Sequence, residues 1–432
     1  MALASSQRPI RLVVRDDLRR RRLTVLLRLP LALPLLVWLV LRGIAALAAS
    51  VVLWAAVLAH GQAPSALHGF LAGFVRYGTQ VGAYLFLAAD PYPWFRCQQG
   101  YPVDVEIDPP ARQGRWSAGF RLLLALPALV LAAALGSGFS ANSPGTRAGE
   151  DGGGWWSLAS GGAASAAAVL TWFASLALGR APRGLRDLVA YALGYGAQAY
   201  GYLLLLTDRY PSADPALAER YAELPAHPVR IRVEDDLGRP RLAVLFRLLL
   251  ALPHLVWLAL WALAALPAAV AAWAAALFTG RVPEPLHRFL AAFVRYSVHV
   301  FAFLYVVGRR FPGFTGRPRY GIDAEIDPPR RQRRWRTLVR LLLALPALLV
   351  NAALAGVLLV VGVLGWWYAL VAGRMPEGLR NLGAACLRYD AQTTAYLALL
   401  TDRYPYAAPV LREREPEAAP ETPPLEPLGE AA

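Results

Sequence analysis

The sequence predicts a mainly α-helical, integral-membrane fold made of four repeated units, each a short β-strand, a hydrophobic helical hairpin and an amphipathic helix. Three observations predict it. Residues 70–77 read FLAGFVRY and residues 289–296 read FLAAFVRY, while 101–110 read YPVDVEIDPP and 320–329 read YGIDAEIDPP, so long stretches recur 219 positions later. The 432 residues are 57% hydrophobic with a mean hydropathy of +0.39, too apolar for an ordinary soluble protein. The apolar residues also come in long blocks; residues 341–364 contain a single polar side chain, Asn351. Four such blocks point to a polytopic membrane protein. The halves of each duplicate resemble one another, which places units at 9–95, 101–212, 228–314 and 320–406, with an acidic, Pro-rich tail at 407–432 that reads as disordered.

Each unit opens on an alternating segment, Ile10–Val14, Val103–Ile107, Val229–Val233 and Ile322–Ile326, the period of a half-buried strand. The polar positions are basic in units one and three (Arg11, Arg230, Arg232) and acidic in units two and four (Asp104, Glu106, Asp323, Glu325). Opposite charges favour basic and acidic strands as sheet neighbours; four separate extended linkers are the alternative. A basic collar follows, Arg19 to Arg22 in unit one and Arg330 to Arg336 in unit four, then an apolar block starting Arg-x-x-x-Ala-Leu-Pro. Pro34, Pro127, Pro253 and Pro346 hold equivalent places.

A straight helix over a block of about 38 residues would be about 57 Å long against about 30 Å of hydrocarbon. In unit two a polar insert, roughly 136–161, interrupts the block, and the offset to unit four falls from 219 to 194 across it. Polar backbone of that kind cannot sit in hydrocarbon. The block is therefore expected to turn there, as a hairpin of two short spans. A Gly-Arg-x-Pro turn (residues 179–182, 280–283, 373–376) leads into an amphipathic helix carrying Tyr77, Tyr195, Tyr296 and Tyr389, with Gln80, Gln198, His299 and Gln392 three residues on. Those residues share one helical face, and Arg76, Arg295 and Arg388 adjoin the tyrosines.

If this last helix does not span, all four basic collars face one side; if it spans, successive units invert and twelve spans result. Collars and turns rich in arginine favour eight spans, a β layer on the cytoplasmic face and both termini cytoplasmic. The basic stretch before residues 23–40 returns at 239–260, so it is expected to belong to the fold rather than to a signal peptide.

The net charge of +15 rests on arginine alone, since lysine is absent. These arginines flank apolar blocks, which points to anionic lipid head groups rather than nucleic acid. Cys97 and Cys386 occupy non-equivalent positions and imply neither disulfide nor metal site. The six histidines are scattered, and no nucleotide, zinc-protease or serine-nucleophile motif occurs in a usable context. The pairs Asp16-Asp17 and Asp235-Asp236 read as caps or as partners of the arginines that follow them rather than as catalytic dyads.

The strand YP-V-x-V-E-I-D, the helix start R-x-x-L-x-x-L-L-A-L-P-H-L-V-W, the turn L-F-T-G-R and the close L-T-D-R-Y-P resemble a known family. The matching residues include 254–257, 277–281, 206–211 and 400–405. The chain resembles the bacterial multi-pass membrane family known as domain of unknown function 4389, common in actinobacteria, over all but the insert and tail. Unit one departs at its close, where residues 88–91 replace Thr-Asp-Arg-Tyr, and unit three has residues 308–311 there, so two of four closing motifs are intact. The resemblance implies a membrane protein without an established activity.

The function expected is therefore a non-enzymatic membrane scaffold, without cofactor or metal, that binds lipids, a membrane partner or another copy of itself. A transporter or channel built from internal repeats is the alternative. The candidate lipid-interface or helix-packing residues are Arg76, Tyr77, Gln80, Tyr195, Gln198, Arg295, Tyr296, His299, Arg388, Tyr389 and Gln392. The closing motifs add Arg209, Tyr210, Arg403 and Tyr404.

Overall fold

Alternating apolar residues give four short strands, β1 (Ile10–Val14), β2 (Val103–Ile107), β3 (Val229–Val233) and β4 (Ile322–Ile326), at the predicted positions. The computed structural model describes residues 8–98, 100–136, 162–215, 227–318 and 320–409, so most of the insert and of the tail lie outside it. β1 pairs antiparallel with β2 and β3 with β4. Arg11 stands opposite Glu106, Arg230 opposite Glu325 and Arg232 opposite Asp323, the basic-to-acidic pairing that the charges predict. The outer faces carry Arg11–Glu106 and Arg230–Glu325 ion pairs, both at 3.6 Å, while Ile10, Val103, Val229 and Ile322 are buried beneath.

The helices are α1 (Arg22–Leu26), α2 (Arg28–His60) and α3 (Ser65–Leu85) in unit one, and α4 (Arg115–Gly119), α5 (Arg121–Leu135), α6 (Ala163–Leu178) and α7 (Arg183–Leu203) in unit two. Unit three has α8 (Arg241–Leu245), α9 (Arg247–Thr279) and α10 (Glu284–Leu304); unit four has α11 (Arg334–Leu338), α12 (Arg340–Ala372) and α13 (Glu377–Leu397). The predicted helical hairpin within each apolar block is not there. In units one, three and four the block is one continuous helix of 33 residues. These three helices are long and apolar enough to cross a membrane.

The insert misled because it looks like a turn but behaves as a splice. Gly136 ends α5 and Gly162 precedes α6, and a Cβ built on Gly162 would lie 2.6 Å from Gly136 N and 2.7 Å from Ala134 O. Chain therefore leaves and rejoins the helix at one point. Both α5 and α6 pack on α7 and on α12, as two lengths of one interrupted rod.

Each rod ends at a left-handed glycine, Gly61, Gly179, Gly280 or Gly373, the conformation that glycine adopts without a Cβ penalty. A proline three residues on caps the start of the 21-residue helix that folds back along the rod.

Units exchange parts in pairs. β1 lies on α7 of unit two and β2 on α3 of unit one; β3 and β4 repeat this with α13 and α10. The approach is close enough that a Cβ on Gly201 would fall 2.1 Å from Ile10 Cδ1. The short helices swap as well. Trp54, Trp172, Trp273 and Trp366 each donate an indole N–H, at 2.8–3.1 Å, to a carbonyl of the partner unit's short helix: Ala118, Val25, Thr337 and Val244. Those carbonyls border the break at Leu27, Phe120, Phe246 and Val339 between short and long helix, where the helical hydrogen-bond ladder is interrupted.

A layered body results. The sheets cover one side of the 21-residue helices, which pack in pairs (α3 on α7, α10 on α13), and the long helices pack on those helices without extensive contact to the strands. Between the two pairs, α12 packs on α5 and α6, Asn381 Nδ2 donates to Asp214 Oδ1 (3.0 Å) and Tyr406 OH to Asp187 Oδ2 (3.3 Å).

Deleting residues 137–161 should join α5 to α6 in register with α12. The expected outcome is unchanged helix content by circular dichroism and a thermal midpoint in detergent at or above that of the full chain.

Candidate functional site

The C-terminal carbonyls of a helix have no partners within it, and they concentrate partial negative charge. Each 21-residue helix ends here on a non-glycine residue in left-handed conformation, Leu87, Leu205, Val306 or Leu399 (φ 57 to 64°). Such a conformation costs about 1–2 kcal/mol and persists only where its surroundings fix it. The fixing groups come from the collar, 67 residues earlier in the chain, or 92 in unit two with its insert. Arg20 Nε donates to Leu87 O (3.1 Å), and Arg239 Nε donates to Val306 O (3.1 Å). In units two and four the equivalent grip is an amide, Gln113 on Leu205 O (2.5 Å) and Gln332 on Leu399 O. Asp16 and Asp235 hold Arg20 and Arg239 in place at 2.7 and 2.6 Å.

The first residue of each apolar helix completes the grip. Arg28, Arg121, Arg247 and Arg340 are at most 2% exposed. Their guanidinium groups lie 4.1–4.6 Å over the rings of Tyr84, Tyr202, Phe303 and Tyr396, a favourable cation–π geometry once desolvated. They donate to Ala89 O (3.0 Å), Thr207 O (3.2 Å), Gly308 O (2.7 Å) and Tyr396 O (2.6 Å). Three also pair with a carboxylate of the closing motif: Asp90 (3.2 Å), Asp208 (3.0 Å) and Asp402 (3.1 Å). Unit one thus keeps the acid of the closing motif although its other letters change. Unit three does not keep it, since Arg309 stands at that position.

The predicted residues of the 21-residue helices meet the strands and the closing loops. Arg76 Nε (2.6 Å) and Gln80 Nε2 (3.0 Å) donate to buried Asp104 on β2, and His299 Nε2 lies 2.8 Å from Asp323 on β4, with Arg295 Nε at 3.6 Å. Gln198 and Gln392 accept from the backbone N–H of Ser212 (3.2 Å) and Tyr406 (3.0 Å), and Arg388 donates to Tyr406 O (3.2 Å). Tyr77, Tyr195, Tyr296 and Tyr389 are buried; Arg42 lies over Tyr77, and Tyr296 OH meets His254 Nδ1 at 2.8 Å. Tyr210 and Tyr404 are half-exposed, edge-on to Tyr202 and Tyr396. Arg209 and Arg403 follow turns in which Thr207 and Thr401 hydroxyls accept their backbone N–H groups (3.1 Å each).

A cavity of about 470 Å³ opens beside the second grip, lined by Asp108, Arg112, Gln113, Thr207, Asp208 and Arg209. Its charges are mixed. Among the described residues no group of three His, Cys, Asp or Glu side chains is placed to hold a metal ion.

The buried arginines were missed as a site, although the recurring Arg-x-x-x-Ala-Leu-Pro start contains them. The signal was an aspartate recurring 62 residues after Arg28 and Arg340 and 87 after Arg121, on the far side of the insert.

A family model described as Domain of unknown function (DUF4389) matches residues 22–96, 156–213, 241–315 and 334–408. Three of the matches begin at the first residue of a short helix or one beside it, and all end just beyond a closing motif, so the strands fall outside them. No curated protein and no solved structure matches the chain.

Replacing Arg340 by Met leaves Asp402 with only Arg336 at 3.8 Å and takes the guanidinium from the Tyr396 carbonyl, which keeps the Leu399 N–H (3.3 Å), and should cost about 1.5–3 kcal/mol of unfolding free energy in detergent. Adding Asp402→Asn should recover part of that loss. Burial also holds His227, at the start of β3, at a pKa of about 4 instead of 6.5. The unfolded chain then binds the extra proton between those values, so His227 contributes fully above about pH 6.5 and its contribution is lost as pH falls toward 4. His227→Asn should flatten that part of the stability–pH curve.

Proposed function

The chain belongs to the family described as Domain of unknown function (DUF4389), which it carries four times, and from that premise we propose that it is a non-enzymatic scaffold of the bacterial cytoplasmic membrane, binding lipids through its long helices. The observation that carries the reading is the sidedness of the layers. Leu33, Ile44 and Leu47 of α2 and Leu248, Leu263 and Leu266 of α9 are exposed along rods that have little contact with the strands. An apolar surface of that extent marks a membrane or partner contact.

Sidedness also bears on how the rods lie. The two-stranded sheets pack along the 21-residue helices from the middle toward the C-terminal end, where β1 meets Gly194 and Gly201 and β2 meets Arg76 and Gln80. Upright rods would carry these open-edged, ion-paired sheets to hydrocarbon depth, where each unpaired backbone group costs several kcal/mol. Arg42, midway along α2, would sit there too. Rods about 50 Å long, lying flat with their outer sides in the acyl boundary, leave the sheets in water. Exposed arginines at the rod ends, such as Arg21, Arg22, Arg115 and Arg241, then meet anionic head groups. This reading replaces eight short spans with asymmetric insertion in one leaflet.

The test places single cysteines at Arg21 and at His60, exposed at opposite ends of the α1–α2 rod, on a background lacking Cys97 and Cys386. Flat rods expose both to an impermeant maleimide from the same side of the membrane. Labelling from opposite sides would establish a crossing and make transport the function to pursue.

A further inference from the structure

We propose that the third arginine grip is an anion-binding site, with Arg247 as its buried ligand and a phosphate-class oxyanion as its occupant. The site follows from comparing four equivalent positions, and it does not depend on how the rods lie in the membrane.

In units one, two and four the buried guanidinium faces a tyrosine ring and a carboxylate: Tyr84 and Asp90, Tyr202 and Asp208, Tyr396 and Asp402. Unit three loses both polar partners at once, with Phe303 under the guanidinium and Arg309 where the aspartate stands elsewhere. Arg247 is 2% exposed, donates Nη2 to Gly308 O (2.7 Å), and has no hydrogen-bond partner for Nε or Nη1 among the described residues; Arg28 leaves the same two atoms unpartnered but keeps Asp90 on its Nη2 at 3.2 Å, so the difference in unit three is the absent acid. A buried guanidinium with spare donors and no carboxylate partner suits a planar or tetrahedral oxyanion.

Neighbouring acids are already engaged. Asp235 accepts from Arg239 Nη2 (2.6 Å) and from the backbone N–H of Arg309 (3.1 Å), and Asp236 pairs with the Arg309 guanidinium. Arg239, Arg247, Arg309 and Arg310 thus outnumber Asp235 and Asp236, and Arg309 and Arg310 are exposed. The surplus is positive, next to a guanidinium that lacks the acid its three counterparts have. A phosphate oxygen there takes the place of the missing aspartate.

The experiment uses the full chain in detergent, with inorganic phosphate and phosphatidylglycerol as probes and phosphatidylcholine as control, read by calorimetry and thermal shift. Arg309→Asp restores the internal carboxylate. It should raise the unliganded thermal midpoint and weaken phosphate binding at least about tenfold, the scale of losing charge-assisted hydrogen bonds. Arg309→Gln removes the same surface charge without supplying an acid, and should keep most of the binding. Phosphatidylglycerol binding well above phosphatidylcholine assigns the oxyanion to a lipid head group; saturation by phosphate alone assigns it to the free ion. The proposal is overturned if Arg309→Asp binds like the natural chain, if Arg309→Gln loses as much as Arg309→Asp, or if neither probe binds.

Discussion

Everything in the fold is organised around the carbonyls left without helical partners at the end of each 21-residue helix. Four helices stop in a strained left-handed turn, and four buried arginines reach across from the start of the preceding rod to hold it. Desolvating a guanidinium is expensive, and the expense is met by stacking on a ring, by one or two carbonyls and, in three units, by an aspartate. Since each arginine opens a rod and each turn closes the helix that returns along it, the contact fixes the length of both. The family matches bracket this stretch, and the strands lie outside it.

Period-two alternation made the strands legible to the residue, and charge made their pairing legible, because both are local or nearly local signals. The rods were harder. Hydropathy marked the apolar blocks, but dividing them into hairpins assumed a perpendicular crossing, and the insert in unit two seemed to supply the turn. Nothing local to Gly136 and Gly162 reveals that the chain returns to the same axis. The grips lay further out of reach, since Arg28 and Asp90 stand 62 residues apart and neither is unusual in an arginine-rich chain. Repetition was the one signal able to link them. The polar face of Gln80, Gln198, His299 and Gln392 was visible, whereas its partners were not: they are strand carboxylates and loop amides brought in from elsewhere.

The layered reading of the molecule makes its polar interior intelligible. Arg76, His299 and Arg388 are costly within hydrocarbon. Under a sheet or a closing loop they have acids or carbonyls to bind, and the middle layer behaves like the core of a water-facing domain. The outer layer exposes leucine and tryptophan where a soluble protein would carry charge.

Exchange of strands and of indole donors between neighbours imposes a parity on the chain. Each unit supplies one strand and one tryptophan that only another unit can receive. A chain with an odd number of units would be left with an unmatched strand edge and a bare carbonyl at a helix break. It would have to find the mate in a second molecule, through the same antiparallel register that β1 and β2 use within one. Units one with two and three with four satisfy each other in this way, which leaves their outer surfaces for other contacts.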